Sequence, residues 1–367
     1  MKDIGIYIHV PFCERKCLYC DFYSLTTTEL IDGYVEELLT EIKKNAGKHL
    51  DKRVKTIYFG GGTPSLLSLD HLDNIINTIS KFFLIDPVEI TIEVNPNSSQ
   101  NIPYYPSVGI NRLSVGVQSA DDFILKKLGR LHDSAQALNT LDVAGGYFDN
   151  ISADLIIGVD EKQDVIADLD KILPKVTHLS SYILKVEDGT PLKTLIEGKS
   201  VSIATEDTTV LQYDKMYDTC AKYGLYRYEV SNFARLGKES VHNLSYWKMV
   251  DYLGFGPSAH SYVDGVRYYN SHSLADYLKG QHSGFDMQVP ERFFSVKDDM
   301  TEYVMLAFRT TAGLDLKEFR LRYDVDYLDL HASDVKKMGE YLLVNDDRIA
   351  IRPEFLLVQN SIIRELL

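Results

Sequence analysis

The chain has 367 residues, 45% of them hydrophobic and 25% charged, which supplies a large core and exceeds the length of one ordinary domain. Lys and Arg number 39 against 53 Asp and Glu, so the net charge is −14, which disfavours a nucleic-acid partner because the phosphate backbone would be repelled. No run of about 18 apolar residues occurs, which excludes a membrane-spanning helix, and three of the four cysteines lie together, unlike a secreted disulfide framework.

Residues 4–10 read as a β-branched strand with no apolar leader before it, and with the clustered thiols this predicts a cytoplasmic protein. Past the cysteines, Leu30, Tyr34, Leu38 and Ile42 recur at helical spacing. Residues 54–59 form a second strand, ended by three glycines, and Ser68 caps a helix carrying Leu72, Ile75, Ile76 and Ile79. Further strands are predicted at 89–94, 112–117, 151–157 and 179–186, with helices near 121–128, 134–144, 165–173 and 206–223. This strand–helix succession predicts a parallel α/β architecture, either an open doubly wound sheet or a barrel. In both, functional loops sit at the C-terminal ends of the strands.

The pattern changes after about Tyr226, where Gly, Tyr and His become dense. A helix begins near Val296 with Tyr303, Val304 and Ala307 on one face, and 341–344 and 349–351 flank Asn345-Asp346-Asp347 as a hairpin. The predicted division is 1–235 for the barrel or sheet, 236–285 for a connecting segment, and 286–367 for a small winged-helix-like α+β appendage. The acids on that appendage argue against a DNA reader.

Cys13, Cys17 and Cys20 form a C-x-x-x-C-x-x-C run just after the first strand. Thiolates are soft ligands that select iron–sulfur clusters, zinc or Cu(I). A [4Fe–4S] cluster normally takes four cysteines, so three would leave one iron open. The alternatives are a zinc site completed by His9, or three unrelated reduced thiols. Cys220, in a helical pattern, reads as a buried small hydrophobe. Gly60, Gly61 and Gly62 read as a ligand-facing loop, since glycine permits close backbone approach, although a plain turn before Pro64 fits too. Glu93 by itself reads as an ordinary strand acid.

The cysteine spacing on such a chain resembles the radical S-adenosylmethionine (SAM) superfamily. Tyr7-Ile8-His9-Val10-Pro11-Phe12-Cys13, Tyr58-Phe59-Gly60-Gly61-Gly62-Thr63-Pro64-Ser65, Glu93-Val94-Asn95-Pro96, Gly116-Val117-Gln118-Ser119 and Asp154-Leu155-Ile156-Ile157-Gly158 are similar, in order, to the motifs of the oxygen-independent coproporphyrinogen III oxidase family. The resemblance implies a partial (β/α)6 barrel, with a [4Fe–4S] cluster on Cys13, Cys17 and Cys20. Its open iron would take the amino and carboxylate groups of SAM. Gly61, Gly62 and Thr63 would then contact the methionine end of SAM. Glu93, Gln118, Arg130 and Asp154 match further SAM positions, and Tyr7 and Tyr19 would pack against the nucleoside or the cluster.

Two features separate the branches of that family. The decarboxylating oxidases carry an extra Cys where this chain has Phe22. His242-Asn243-Leu244-Ser245-Tyr246-Trp247 is similar to the heme-binding H-N-x-x-Y-W signature of the radical SAM heme chaperones. That branch implies His242 as heme ligand beside Asn243, Tyr246 and Trp247, with heme delivered to apo-hemoproteins such as respiratory enzymes. It leaves room for a homodimer and for peripheral membrane contact. The competing readings are a coproporphyrinogen oxidase, against which Phe22 speaks, and a structural zinc barrel. His260 is a further site candidate.

Overall fold

The computed structural model describes residues 2–280, 288–293 and 295–367. Six strands, β1 (Lys2–Val10), β2 (Lys52–Gly61), β3 (Leu84–Val94), β4 (Arg112–Gln118), β5 (Ile151–Ile157) and β6 (His178–Ile183), pair in parallel and in sequential order. Sequential order is the winding of a barrel, since a doubly wound sheet reverses at a switch point. Helices α1 (Ile31–Ala46), α2 (Leu69–Phe82), α3 (Asp122–Lys127), α4 (Ser134–Gly145) and α5 (Val165–Ile172) supply crossovers, and α6 (Pro191–Glu197) and α7 (Glu206–Lys222) follow β6. Between β3 and β4 the crossover is a 3-10 segment, Ile102–Val108, with two prolines.

The sheet continues past β6 through two short strands, β7 (Tyr226–Arg227) and β8 (Asn232–Ala234), both running antiparallel to their neighbours. On the other side β9 (Tyr252–Phe255) pairs with β1 in parallel, followed by β10 (His260–Val263), β11 (Val266–Asn270) and β12 (Gln288–Phe293). The twelve strands end at β12 and β7, which do not pair among the described residues, so the barrel is partial. The predicted connecting segment thus contributes β9, β10 and β11 to this sheet. The predicted boundary at 285–286 lies outside the described residues. Lys52, fully buried, fastens this junction through Asp251 (2.6 Å) and Asp264 (3.0 Å).

Local chemistry explains the elements. Ser68 accepts from the His71 amide at 3.1 Å while His71 Nδ1 accepts from the Ser68 amide, a capping box with His in the usual Glu place. Leu72, Ile75, Ile76 and Ile79 then bury one face of α2. Side chains alternate along each strand. Ile6, Ile8, Ile57, Phe59, Ile90, Ile92, Leu113 and Val115 face the helices and form the main core. The alternate set is polar and fills the barrel.

Helix α8 (Val241–Trp247) closes the end of the barrel where β2, β3 and β4 begin. Buried Glu89 accepts from the amides of Val241 (2.8 Å) and His242 (3.1 Å) and from Ser240 Oγ (3.3 Å). It thereby caps the helix from a different element, with Arg112 at 3.9 Å. Downstream, α9 (Leu274–Gly280) packs on α1.

The appendage is built on a second core that also takes in Met249 and Tyr262 of the barrel segment. Phe308, Phe319, Tyr327, Ile349 and Leu366 gather α10 (Val296–Ala307), α11 (Leu316–Tyr323), α12 (Tyr327–Lys337) and α13 (Gln359–Glu365) against a three-stranded sheet. That sheet comprises β13 (Leu314–Asp315), β14 (Leu342–Val344) and β15 (Arg348–Ile351), with the predicted hairpin as β14–β15. It docks on the barrel through the Thr311 amide to the Tyr228 carbonyl (3.0 Å) and Arg227 to the Pro353 carbonyl.

Removing the Glu89 carboxylate orphans two helix amides and leaves Arg112 buried without its counter-charge. Glu89→Ala is expected to cost about 3–5 kcal/mol of unfolding free energy, with Glu89→Gln losing less. Urea unfolding of the two variants checks the order.

Candidate functional site

The cysteine loop leaves the C-terminal end of β1 and is closed at its base by the Leu25 amide to the Pro11 carbonyl (2.7 Å) and the Cys13 amide to the Leu25 carbonyl (2.8 Å). Its far side is held by neighbours. Leu18 donates to the Leu128 carbonyl (3.2 Å) and accepts from the Leu192 amide (2.9 Å). Arg15 reaches the carbonyls of Gly129 (2.8 Å) and Arg130 (3.0 Å). The three cysteines are half-buried and not in disulfides. Thr63 Oγ1 points at Cys13 Sγ (3.5 Å) and Arg130 Nη1 at Cys17 Sγ (3.3 Å).

This donor set fits three corners of a cubane, in which each thiolate binds its own iron. It suits a single ion less well. Among the described residues no three His, Cys, Asp or Glu side chains converge on one metal. His9, the fourth ligand a zinc site would use, has its nitrogens against Tyr7 Oη (3.1 Å) and the Tyr23 carbonyl (2.9 Å).

Beneath the loop lies a cleft of about 480 Å³ built from the C-terminal ends of β2 to β6. It brings together Cys13, Cys17, Tyr19 and Cys20 with Gly61, Gly62, Thr63, Glu93, Gln118, Arg130 and Asp154. Gly62 continues the β1–β2 pairing into the loop, its amide 2.8 Å from the Val10 carbonyl, and an added Cβ would lie 2.6 Å from the Phe12 oxygen. Gly61 has φ +107°, and a Cβ there would meet the His9 ring at 2.7 Å. Phe22 stands 66% exposed at the cleft mouth.

Two partly buried acids share the cleft. Burial first, then the nearby Asp154, raise Glu93 to about 8, although the Tyr58 hydroxyl donates to it at 3.0 Å. Burial raises Asp154 to about 6 against Ser114 Oγ, which donates at 3.1 Å. Two carboxyls that are costly to ionise together make a site that a cation would relieve. Burial likewise pushes the Tyr19 phenol up, opposed by Arg130.

Tyr7 is not among the residues lining this cleft. Its hydroxyl is on His9 and its ring packs against Tyr58, centroids 6.2 Å apart. Sequence reasoning gave no role to Asn95, which donates to Thr63 Oγ1 (2.9 Å) and accepts from Arg130 Nη2 (2.6 Å), joining the two groups that face sulfur. Its place two residues after Glu93, on the same side of the strand end, was the available signal. Arg15, Tyr58, Glu89 and Arg112 carried no such signal.

The H-N-x-x-Y-W residues lie at the opposite end of the barrel, on α8. His242 is buried, with Nδ1 on Thr56 Oγ1 (2.8 Å) and Nε2 on Tyr246 Oη (2.7 Å). Burial first, then Arg112, push its pKa down to about 3, so the ring is neutral. Asn243, Tyr246 and Trp247 are partly buried. In this arrangement neither nitrogen of His242 is open to iron. His260 is exposed and stacks on Tyr269, centroids 5.3 Å apart.

Gly62→Ala forces backbone away from the loop base. It is expected to cost about 1–3 kcal/mol and to lower iron retained per chain. Gly33→Ala, an exposed helical site with nothing within 4 Å of the new Cβ, is expected to gain about 0.4–1 kcal/mol. Urea midpoints and iron assays on both variants decide.

Residues 7–173 match the radical SAM superfamily. The chain is 32% identical to the heme chaperone HemW of Lactococcus lactis, over 95% of this chain and 92% of that protein. It is 31% identical to HemW of Bacillus subtilis, over 94% and 93%. A mouse relative, radical S-adenosyl methionine domain-containing protein 1, is 35% identical over 70% of this chain and 60% of its own length. In fold the chain is similar to the Escherichia coli coproporphyrinogen III oxidase HemN, described as a radical SAM enzyme, with TM-score 0.86 at 19% identity, covering 100% of this chain and 90% of that one. On the extent of its match to the curated bacterial relatives, the chain belongs to the HemW family of radical SAM proteins.

Proposed function

We propose that the chain is a heme chaperone which carries a [4Fe–4S] cluster and SAM, binds heme, and passes it to apo-hemoproteins such as respiratory enzymes. The observation that carries this reading is the cysteine loop closing over a polar cleft, with Thr63 and Arg130 facing two of its three sulfurs. Cys13, Cys17 and Cys20 hold the cluster. Such a cluster, when bound, supplies an open iron for the amino and carboxylate groups of SAM and an electron for its reductive cleavage. Gly61, Gly62 and Thr63 present backbone and hydroxyl to the methionine end, and Gln118, Arg130 and Tyr19 wall the cofactor. Glu93 and Asp154, both raised by burial, gain from the positive charge of SAM. Tyr7 supports the site from behind Tyr58.

His242 is the proposed iron ligand for heme, beside Asn243, Tyr246 and Trp247. Ligation requires the Tyr246 hydroxyl to give up Nε2, or the helix to leave its seat. Phe22 at the cleft mouth, in place of the oxidases' extra cysteine, favours the chaperone over a decarboxylase. The reading assigns cofactors to residues 1–235, heme to 236–285, and an accessory role to 286–367. It extends to a cytoplasmic protein, with homodimer formation and peripheral membrane contact as properties of the same chaperone.

Anaerobically purified protein is expected to hold about four iron and four sulfide per chain, lost in Cys13→Ser; a colourless, zinc-loaded product overturns the cluster. Heme titration should give a Soret band that His242→Ala weakens about tenfold or more; an unchanged band removes His242 as ligand. Turnover of coproporphyrinogen III with SAM would replace the chaperone with the oxidase.

A further inference from the structure

One aromatic side chain spans the barrel between the two proposed sites. Tyr58, inward-facing on β2, donates its hydroxyl to Glu93 Oε1 at 3.0 Å. Its ring stacks on His242, centroids 5.1 Å and planes 25° apart. Thr56, two residues earlier on the same strand, holds Nδ1 of that imidazole at 2.8 Å. The cleft acid therefore meets the hydroxyl of Tyr58 while the heme-motif imidazole lies on the face of its ring.

An imidazole has two nitrogens, and both are bonded while α8 is seated. Iron ligation belongs to a second arrangement in which His242 has left this seat. Seated and released helix are two states that either site can bias. A cationic group in the cleft holds Glu93 as a carboxylate, where burial otherwise favours the neutral acid. The O–H···O bond from Tyr58 then becomes charge-assisted, roughly twice as strong as a neutral one. A firmer Tyr58 keeps its ring against His242.

We propose that Tyr58 is a positioning residue that couples the cleft to the heme motif, so that a cationic ligand beside Glu93 keeps His242 seated and weakens heme ligation. This rests on the function proposed above, with SAM as the cleft ligand and His242 as the heme ligand. Reciprocity requires heme to weaken SAM binding by the same factor.

The test uses the full chain with its cluster, titrated with hemin in the absence and presence of saturating SAM. SAM is expected to raise the hemin Kd about fivefold or more, and hemin to raise the SAM Kd equally in calorimetry. In Tyr58→Phe, which removes one hydroxyl, both ligands are expected to bind while the coupling disappears. Trp247, the sole tryptophan, lies on α8, so a heme-free readout exists. SAM should reduce acrylamide quenching of its fluorescence in the wild type and not in Tyr58→Phe. Independent binding of the two ligands, or coupling that survives in Tyr58→Phe, overturns the inference and leaves the chaperone reading standing. Absence of hemin binding at any SAM concentration overturns both.

Discussion

The backbone of Gly62 runs so close to the chain entering the cysteine loop that the geometry around the sulfurs depends on it. The parallel pairing of β1 and β2 does not stop at the strand ends. It continues through the amides of Gly62 and Thr63 onto the carbonyls of Val10 and Phe12, at 2.8 and 2.7 Å. That extension brings Thr63 to Cys13. From Thr63 a hydrogen-bonded line runs to Asn95 on the end of β3, to Arg130 beyond β4, and back to Cys17. The segments that follow β2, β3 and β4 thus converge on the cysteine loop, and a side chain at residue 62 would have no room there.

A second constraint is the polar interior. The helices cover the apolar faces of the parallel strands, so the opposite face, enclosed by the barrel, has to satisfy itself. Much of it does so in two layers, while Thr91 Oγ1 and Arg112 Nε have no hydrogen-bond partner. At the cleft end the acids Glu93 and Asp154 meet hydroxyls of Tyr58 and Ser114. At the closed end Glu89 caps α8 and Thr56 takes His242. Buried polar groups of this kind are stable when every member is paired and costly when one is not. A motif helix seated on such a layer is both firmly placed and sensitive to changes in that layer. The open cleft and the buried motif are two ends of one polar core.

Much of the barrel was legible from the chain itself. Six strands in order, the Ser68 cap, the apolar face of α2 and the β14–β15 hairpin follow from periodicity and turn chemistry, which are local. The crossover after β3 and the short α6 carried too few apolar repeats to register. The predicted sixth strand ran three residues past Ile183, where Leu184 turns away to pack near Ile124 and Leu128 instead. The cysteine spacing and the glycine run were likewise visible, because covalent order alone places them after β1 and β2.

What local order left open was which distant residues meet. An open sheet and a barrel share the same strand–helix alternation, and the choice between them lies in the pairing order, which only long-range contacts set. The joining of β9 to β1, the reach of Glu89 to α8, and the placing of Tyr58 between Glu93 and His242 unite residues up to about 250 positions apart, each satisfying a buried donor or acceptor. Composition and spacing determined that this chain carries a thiolate loop on an α/β scaffold. Tertiary structure decided that the loop faces a shared acidic cleft while the histidine motif is locked at the other end, because partners for buried polar groups are chosen by three-dimensional proximity, on which sequence distance has no bearing.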